Sequence, residues 1–141
     1  MTQQVPDFVR QGAGSTPPSL RDSVVVLREI FRTEGAFADS VGTIGVARAF
    51  VLFAAPTVGK FAGPVKFVFG PSGIATLNEG APPGAGPAWE PQAGSVAGSQ
   101  DLGFTYGPAW NRQAPRPAEI PGKYFTIWQR QPDGQWRYVI D

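Results

Sequence analysis

The chain has 141 residues, enough for one domain whose core needs no covalent staples. It contains no cysteine and no histidine, which excludes disulfides, thiolate metal sites, cysteine nucleophiles, histidine triads and the usual neutral-pH proton shuttle. The formal net charge is +1, from 12 basic and 11 acidic residues, and the basic residues are scattered, so no nucleic-acid surface is expected.

Residues 1–19 are polar and marked by Pro and Gly, and read as a flexible tail ahead of a single domain over residues 20–141. No run approaches the roughly 18 apolar residues that a membrane span requires, so a soluble chain is expected, either cytoplasmic or exported with its signal peptide absent from this sequence. Ser19 or Asp22 can cap a helix in which Val24, Leu27, Phe31, Glu34, Ala38 and Val41 recur at helical spacing. Glu34 also belongs to the neighbouring row of Ile30, Phe37, Val41 and Ile44. Gly42 and Gly45 interrupt the pattern. Thr43 can cap a shorter helix carrying Val46, Ala47, Phe50, Val51 and Ala54, which Pro56 ends.

After a loop over residues 57–64, VKFVF (65–69) reads as a strand and residues 72–77 as a short helix. Gly70-Pro71-Ser72-Gly73 lacks the Lys and the spacing of a phosphate loop and reads as a helix start. Residues 78–87 form a Pro/Gly loop. Strands follow over residues 88–97 and 102–111, and a second Pro-rich loop over residues 112–122. Gly103 and Gly107 inside a strand allow bending or the close approach of a neighbour.

The most legible stretch is the last, KYFTIWQRQPDGQWRYVID. Pro132, Asp133 and Gly134 specify a three-residue hairpin loop with a G1-type bulge. Counting back from that loop sets Arg130 against Trp136, Gln129 against Arg137, Trp128 against Tyr138, Ile127 against Val139 and Thr126 against Ile140. Arg130 is expected to stack on Trp136. Both hairpin faces carry large apolar side chains, so something must cover each of them. The Trp128 face is expected to contribute to a pocket and the Ile127 face to meet a partner subunit. Helices followed by strands indicate an α+β fold.

Several of these segments carry a family resemblance. Glu34-Gly35-Ala36-Phe37-Ala38, Ala49-Phe50, Trp89-Glu90-Pro91, the run from Asp101 to Gly107 (DLGFTYG), and Trp128 with Pro132-Asp133-Gly134-Gln135-Trp136 resemble the SnoaL-like, ketosteroid-isomerase-like branch of the nuclear transport factor 2-like superfamily, most nearly its uncharacterised bacterial domains. The resemblance spans about residues 23–141. It implies a cone-shaped, strongly curved antiparallel sheet wrapped around N-terminal helices, an apolar pocket at the open end, and homodimerisation through the outer sheet face. Gln100 stands where the family's strand opening usually has glycine. Catalytic members use a pocket Asp, sometimes with Tyr or His, and no motif here places those roles on particular positions.

The candidate acid/base groups are Glu34 and Asp101. In an aromatic pocket, desolvation would raise the Glu34 pKa toward the range useful for proton transfer. The competing reading, a structural carboxylate bonded across the helix–sheet interface, weighs more, because nothing else marks a proton-abstraction site. For Asp101, after Gly98-Ser99-Gln100, a turn role weighs more again. Phe37, Phe50, Trp89, Tyr106, Trp128 and Tyr138 are the candidate pocket wall. The expectation is a domain that binds a small apolar molecule and needs no cofactor or metal, acting as an isomerase, cyclase or lyase; the alternative is a non-catalytic binding or dimerisation module.

Overall fold

The computed structural model describes residues 21–141, so the expected tail over residues 1–19 lies outside the described residues. Helix α1 (Ser23–Ile44) starts at Asp22, whose side chain accepts a hydrogen bond from the Val24 amide at 2.8 Å. The buried face is Val26, Ile30, Glu34, Phe37, Ala38 and Val41, whereas Val24 is 53% exposed. The second of the two expected rows is therefore the core-facing one. The helix runs through Gly42, where the missing Cβ lets the Arg112 guanidinium lie close over the backbone, and stops at Gly45, which has φ 91°. Gly45, not Thr43, then precedes α2 (Val46–Leu52), which buries Val46, Ala49 and Phe50.

Where a loop was expected, the chain goes almost directly into strand β1 (Ala54–Phe61), followed by β2 (Phe67–Phe69) and α3 (Gly70–Leu77). Pro56 ends no helix here; it sits in β1, among residues whose burial does not alternate. The remaining strands are β3 (Pro87–Trp89), β4 (Ala93–Val96), β5 (Leu102–Asn111), β6 (Gly122–Arg130) and β7 (Trp136–Ile140). They form one sheet in the order β2-β1-β7-β6-β5-β3, with β4 also on β5. The sheet is mixed and not wholly antiparallel, because β1 runs parallel to β7. The helices pack on its concave side, giving the expected α+β cone.

The strand expected over residues 88–97 is broken into β3 and β4. Trp89 pairs with Ala109 and Ala93 with Tyr106, so three residues of one strand bulge against two of the other. Gly107 makes the bulge possible: a Cβ there would lie 2.1 Å from the Glu90 carbonyl oxygen. Gly103 likewise admits Ile30, whose Cδ1 would be 2.6 Å from an added Cβ.

The hairpin has the expected loop. Gly134 has φ 85°, and the Gln131 amide donates to the Gln135 carbonyl at 2.8 Å. Arg130, Gln129 and Trp128 pair with Trp136, Arg137 and Tyr138 as counted, but Ile127 pairs with Ile140 and not Val139. The slip at Val139 coincides with an irregularity on the other flank of β7, where β1 carries Pro56, which has no N–H to donate. Trp128, Trp136 and Tyr138 all face the helices and are buried. Trp136 therefore does not present an exposed face to Arg130, and the cation–π contacts among the described residues are Lys60 over Phe50 and Arg116 over Trp110.

Gln100 explains the glycine expected at its position. Its φ is 60°, a left-handed conformation that costs a non-glycine residue about 1–2 kcal/mol. In compensation, its buried side chain clamps the backbone ahead of α1, accepting from the Arg21 amide at 3.2 Å and donating to the Arg21 carbonyl at 2.5 Å. Gln100→Ala, which loses the clamp and keeps the strained backbone, should lower the unfolding free energy by about 1–2 kcal/mol. Gln100→Gly should lower it by less. Urea midpoints would show this, and a glycine variant no better than the alanine variant would contradict it.

Candidate functional site

Glu34 sits one helical turn before Phe37 and Ala38 on the buried face of α1, and it has no solvent exposure. Three donors from three strands converge on it. The Trp89 indole N–H of β3 donates to Oε1 at 2.7 Å; the Trp128 indole N–H of β6 and the Thr105 hydroxyl of β5 donate to Oε2, each at 2.6 Å. Burial pushes the carboxyl up to about 7, against the opposing pull of the three hydrogen bonds, with a further upward contribution from Asp141. Thr105 Oγ1 also lies 3.0 Å from the Tyr124 hydroxyl. That hydroxyl is itself raised above its ordinary value, first by burial and then by the charge on Glu34.

Tyr124 lines a cavity of about 250 Å³ between α2, β1, β3 and the adjoining ends of β5 and β6. Phe50, Pro87, Trp89 and Ala109 form its apolar wall, Lys60, Tyr124 and Asp141 bring polar groups to it, and Lys123 and Phe125, on the outward parity of β6, border its rim. Lys60 and Asp141 are paired, and Asp141 also accepts from Thr126 at 3.0 Å. We refer to this cavity as the mouth of the cone.

The expected pocket wall is thus divided. Phe50 and Trp89 line the mouth. Phe37, Trp128 and Tyr138 are fully buried in a packed aromatic core, with Phe37 stacked on Tyr138 at 5.1 Å between centroids and the Tyr138 hydroxyl donating to the Phe50 carbonyl at 2.6 Å. Tyr106 lies on the outer face of the sheet, 44% exposed, because its parity on β5 is opposite to that of Thr105. Asp101 is exposed at the start of β5 and accepts from the Ser99 hydroxyl, a turn contact. Ala109, at the mouth, is near the other end of the same strand. Glu34 and Asp101 are not brought together.

Sequence reasoning passed over Lys60, Thr105, Thr126 and Asp141. The two threonines carried a signal: they pair across β5 and β6, on the parity of Trp128. Lys60 and Asp141 carried none, since one fell in an expected loop and the other at the last position. Among the described residues no group of three or more Asp, Glu, His or Cys side chains could hold a metal ion, and no helix is long and apolar enough to cross a membrane.

A helix pair laid in a curved sheet of this order has counterparts among solved structures. An NTF2-like protein of unknown function from Pseudomonas putida superposes with a TM-score of 0.61 at 17% identity, over 84% of each chain. The fold is the NTF2-like fold. A candidate scytalone dehydratase from Novosphingobium aromaticivorans gives a TM-score of 0.63 at 18% identity, over 83% of this chain and 81% of that one. A ketosteroid isomerase-like protein from Erwinia carotovora gives 0.55 at 12% identity, over 79% and 90%. No protein-family model matches the sequence, and no curated protein is similar enough to count as a relative.

The Glu34 environment has a measurable consequence. Between about pH 4.5 and 7 the folded chain keeps a proton on Glu34 that the unfolded chain has released, so stability falls as pH rises through that window and levels off above it. The decline should amount to roughly 3 kcal/mol. With no histidine in the chain, no side chain of ordinary pKa titrates near neutrality to mask it. Denaturant midpoints at pH 5 and pH 8 should show the loss in the wild type and a flat profile in Glu34→Gln; a wild type that is more stable at pH 8 would exclude this account.

Proposed function

We propose that the protein binds a small, largely apolar molecule bearing one polar group in the mouth of the cone, without a cofactor. The observation that supports this is the wall itself, where Phe50 and Trp89 stand beside the convergent polar groups of Lys60, Tyr124 and Asp141. The cavity's 250 Å³ falls below the roughly 300–1,000 Å³ of sites for drug-sized ligands. The ligand is accordingly smaller than a steroid skeleton, or projects through the opening. Catalysis as an isomerase, cyclase or lyase is the finer form of this reading. In it Tyr124 is the group that meets the substrate and Glu34 acts from behind it. The enclosure of Glu34 by three donors favours the non-catalytic form, because neither carboxyl oxygen faces the cavity.

Bicyclic aromatic ketones and alcohols should raise the melting temperature by about 2–5 °C at concentrations a few times their Kd. Ala109→Trp, which fills the mouth, should abolish the shift while the far-UV spectrum is unchanged. An equal shift in the plugged variant, or none in the wild type, counts against the reading.

We also propose that the outer sheet face forms a homodimer. Phe104 stacks with Tyr106 and with Phe125 at 6.4 and 5.5 Å between centroids, and Leu102, Tyr106 and Phe125 are all more than 40% exposed, an apolar patch of the kind that marks an interface. Sedimentation should give twice the 15.0 kDa chain mass, reduced to a monomer by Tyr106→Glu; a monomeric wild type would refute the dimer.

A further inference from the structure

Glu34, Thr105 and Tyr124 form a line from the sealed core to the cavity wall. Thr105 Oγ1 is 2.6 Å from Glu34 Oε2 and 3.0 Å from the Tyr124 hydroxyl. A threonine hydroxyl has one proton and can donate to only one of these neighbours at a time, while the Trp89 and Trp128 indoles can donate but never accept. The direction of the line is therefore dictated by Glu34. When Glu34 is ionised, Thr105 donates to it, Tyr124 donates to Thr105, and the Tyr124 oxygen offers only lone pairs to the cavity. When Glu34 is protonated on Oε2, both indole bonds persist and the new O–H donates to Thr105 Oγ1. Thr105 then donates to Tyr124, whose own O–H is released toward the mouth. The line reverses without any heavy atom moving.

We propose that the protonation state of Glu34 sets the hydrogen-bonding sense of the cavity wall through Thr105 and Tyr124. The mouth then takes a ligand with an N–H or O–H donor when Glu34 is ionised, and one with a carbonyl-type acceptor when it is protonated. The proposal rests on the mouth being the ligand site. The wholly buried Thr105 and half-buried Tyr124 place the open end of the line at the cavity. A Glu34 value near 7 populates both forms around neutrality. Of the other ionisable groups around the cavity, Asp141 after β7 is paired with Lys60 of β1, Tyr138 of β7 donates to the Phe50 carbonyl, Arg112 donates to the Ala38 carbonyl of α1, and Lys123, beside Tyr124 on β6, lies on the exposed parity of that strand. Burial and the charge on Glu34 both keep the Tyr124 hydroxyl neutral. Glu34 and Thr105 are positioning residues here, and Tyr124 is the contact.

The test uses the full chain labelled with ¹³C at the tyrosine ζ carbons and ¹⁵N at the tryptophan indoles, titrated from pH 5.5 to 8.5. The Tyr124 resonance, assigned by its loss in Tyr124→Phe, should move with the same midpoint as the Trp89 and Trp128 indole resonances. In Thr105→Val it should lose most of its amplitude while the indoles still titrate, and Thr105→Ser should restore it. A stationary Tyr124 resonance in the wild type, or one that titrates at full amplitude in Thr105→Val, overturns the relay. The second arm uses two probes that stay neutral throughout, indole as donor and acetophenone as acceptor, with the wild type alone. Their affinity ratio should shift toward indole by about threefold to tenfold between pH 5.5 and 8.5. An unchanged ratio overturns the ligand preference. Failure of both probes to bind overturns the site reading and the preference with it, while the resonance titration still decides the relay.

Discussion

The structure is organised around the three hydrogen bonds that close on Glu34. A carboxylate enclosed in protein is strongly penalised unless its oxygens are satisfied, and here the donors arrive from β3, β5 and β6 at once. An apolar side chain at this place would tolerate small rotations of α1 within the cone. Glu34 does not, because each donor must hold its distance and angle for the others to remain useful. The cage thereby selects one axial rotation and one height for α1 against the sheet. Phe37, one turn on, is then delivered into the aromatic group formed by Phe50, Phe53, Trp89 and Tyr138, with centroids 4.9–5.1 Å away.

The parts of the fold legible in the sequence are those where one residue type has one use. Pro132-Asp133-Gly134 permits few turns, and the register of Trp128 against Tyr138 follows by counting. Strand β5 alternates larger residues with the small Gly103, Thr105, Gly107 and Ala109 and lies where it was expected, residue for residue. Strand β1 was hidden because Ala54, Ala55, Val58 and Gly59 are buried in adjacent pairs and Pro56 mimics a helix stop. The break between β3 and β4 was hidden for a different reason. A bulge is a relation between two strands, and Gly107 reveals it only once Glu90 is seen against it.

The site divides in the same way. Glu34 was conspicuous as a charge on an apolar helix row, and its unusual surroundings followed from that alone. What it touches was only half legible: parity along the terminal hairpin puts Tyr124, Thr126 and Trp128 on one face, but nothing local says which of them reaches a carboxylate. Aromatic content was the weaker guide. Trp89 and Trp128 supply their N–H groups to the cage, Phe37 and Tyr138 fill space, and Tyr106 points outward. Lys60 and Asp141 meet only through the parallel pairing of β1 and β7, a contact between segments 81 positions apart that no local pattern announces.

The absence of histidine gives the buried carboxyl its particular weight. Imidazole is the side chain whose ordinary value puts its change of charge near neutrality. Here the group whose value lies near neutrality is sealed behind a threonine, and its oxygens are held by indoles that cannot turn round. The rigidity that makes Glu34 unsuited to touching a ligand is the same rigidity that leaves Thr105 as the hydrogen-bonded route from it to the cavity wall. A structural cage and a functional relay are therefore not rival descriptions of Glu34. With the indoles fixed, hydroxyl rotation at Thr105 and Tyr124 is the motion left to answer a proton, and Tyr124 is where that answer meets the cavity.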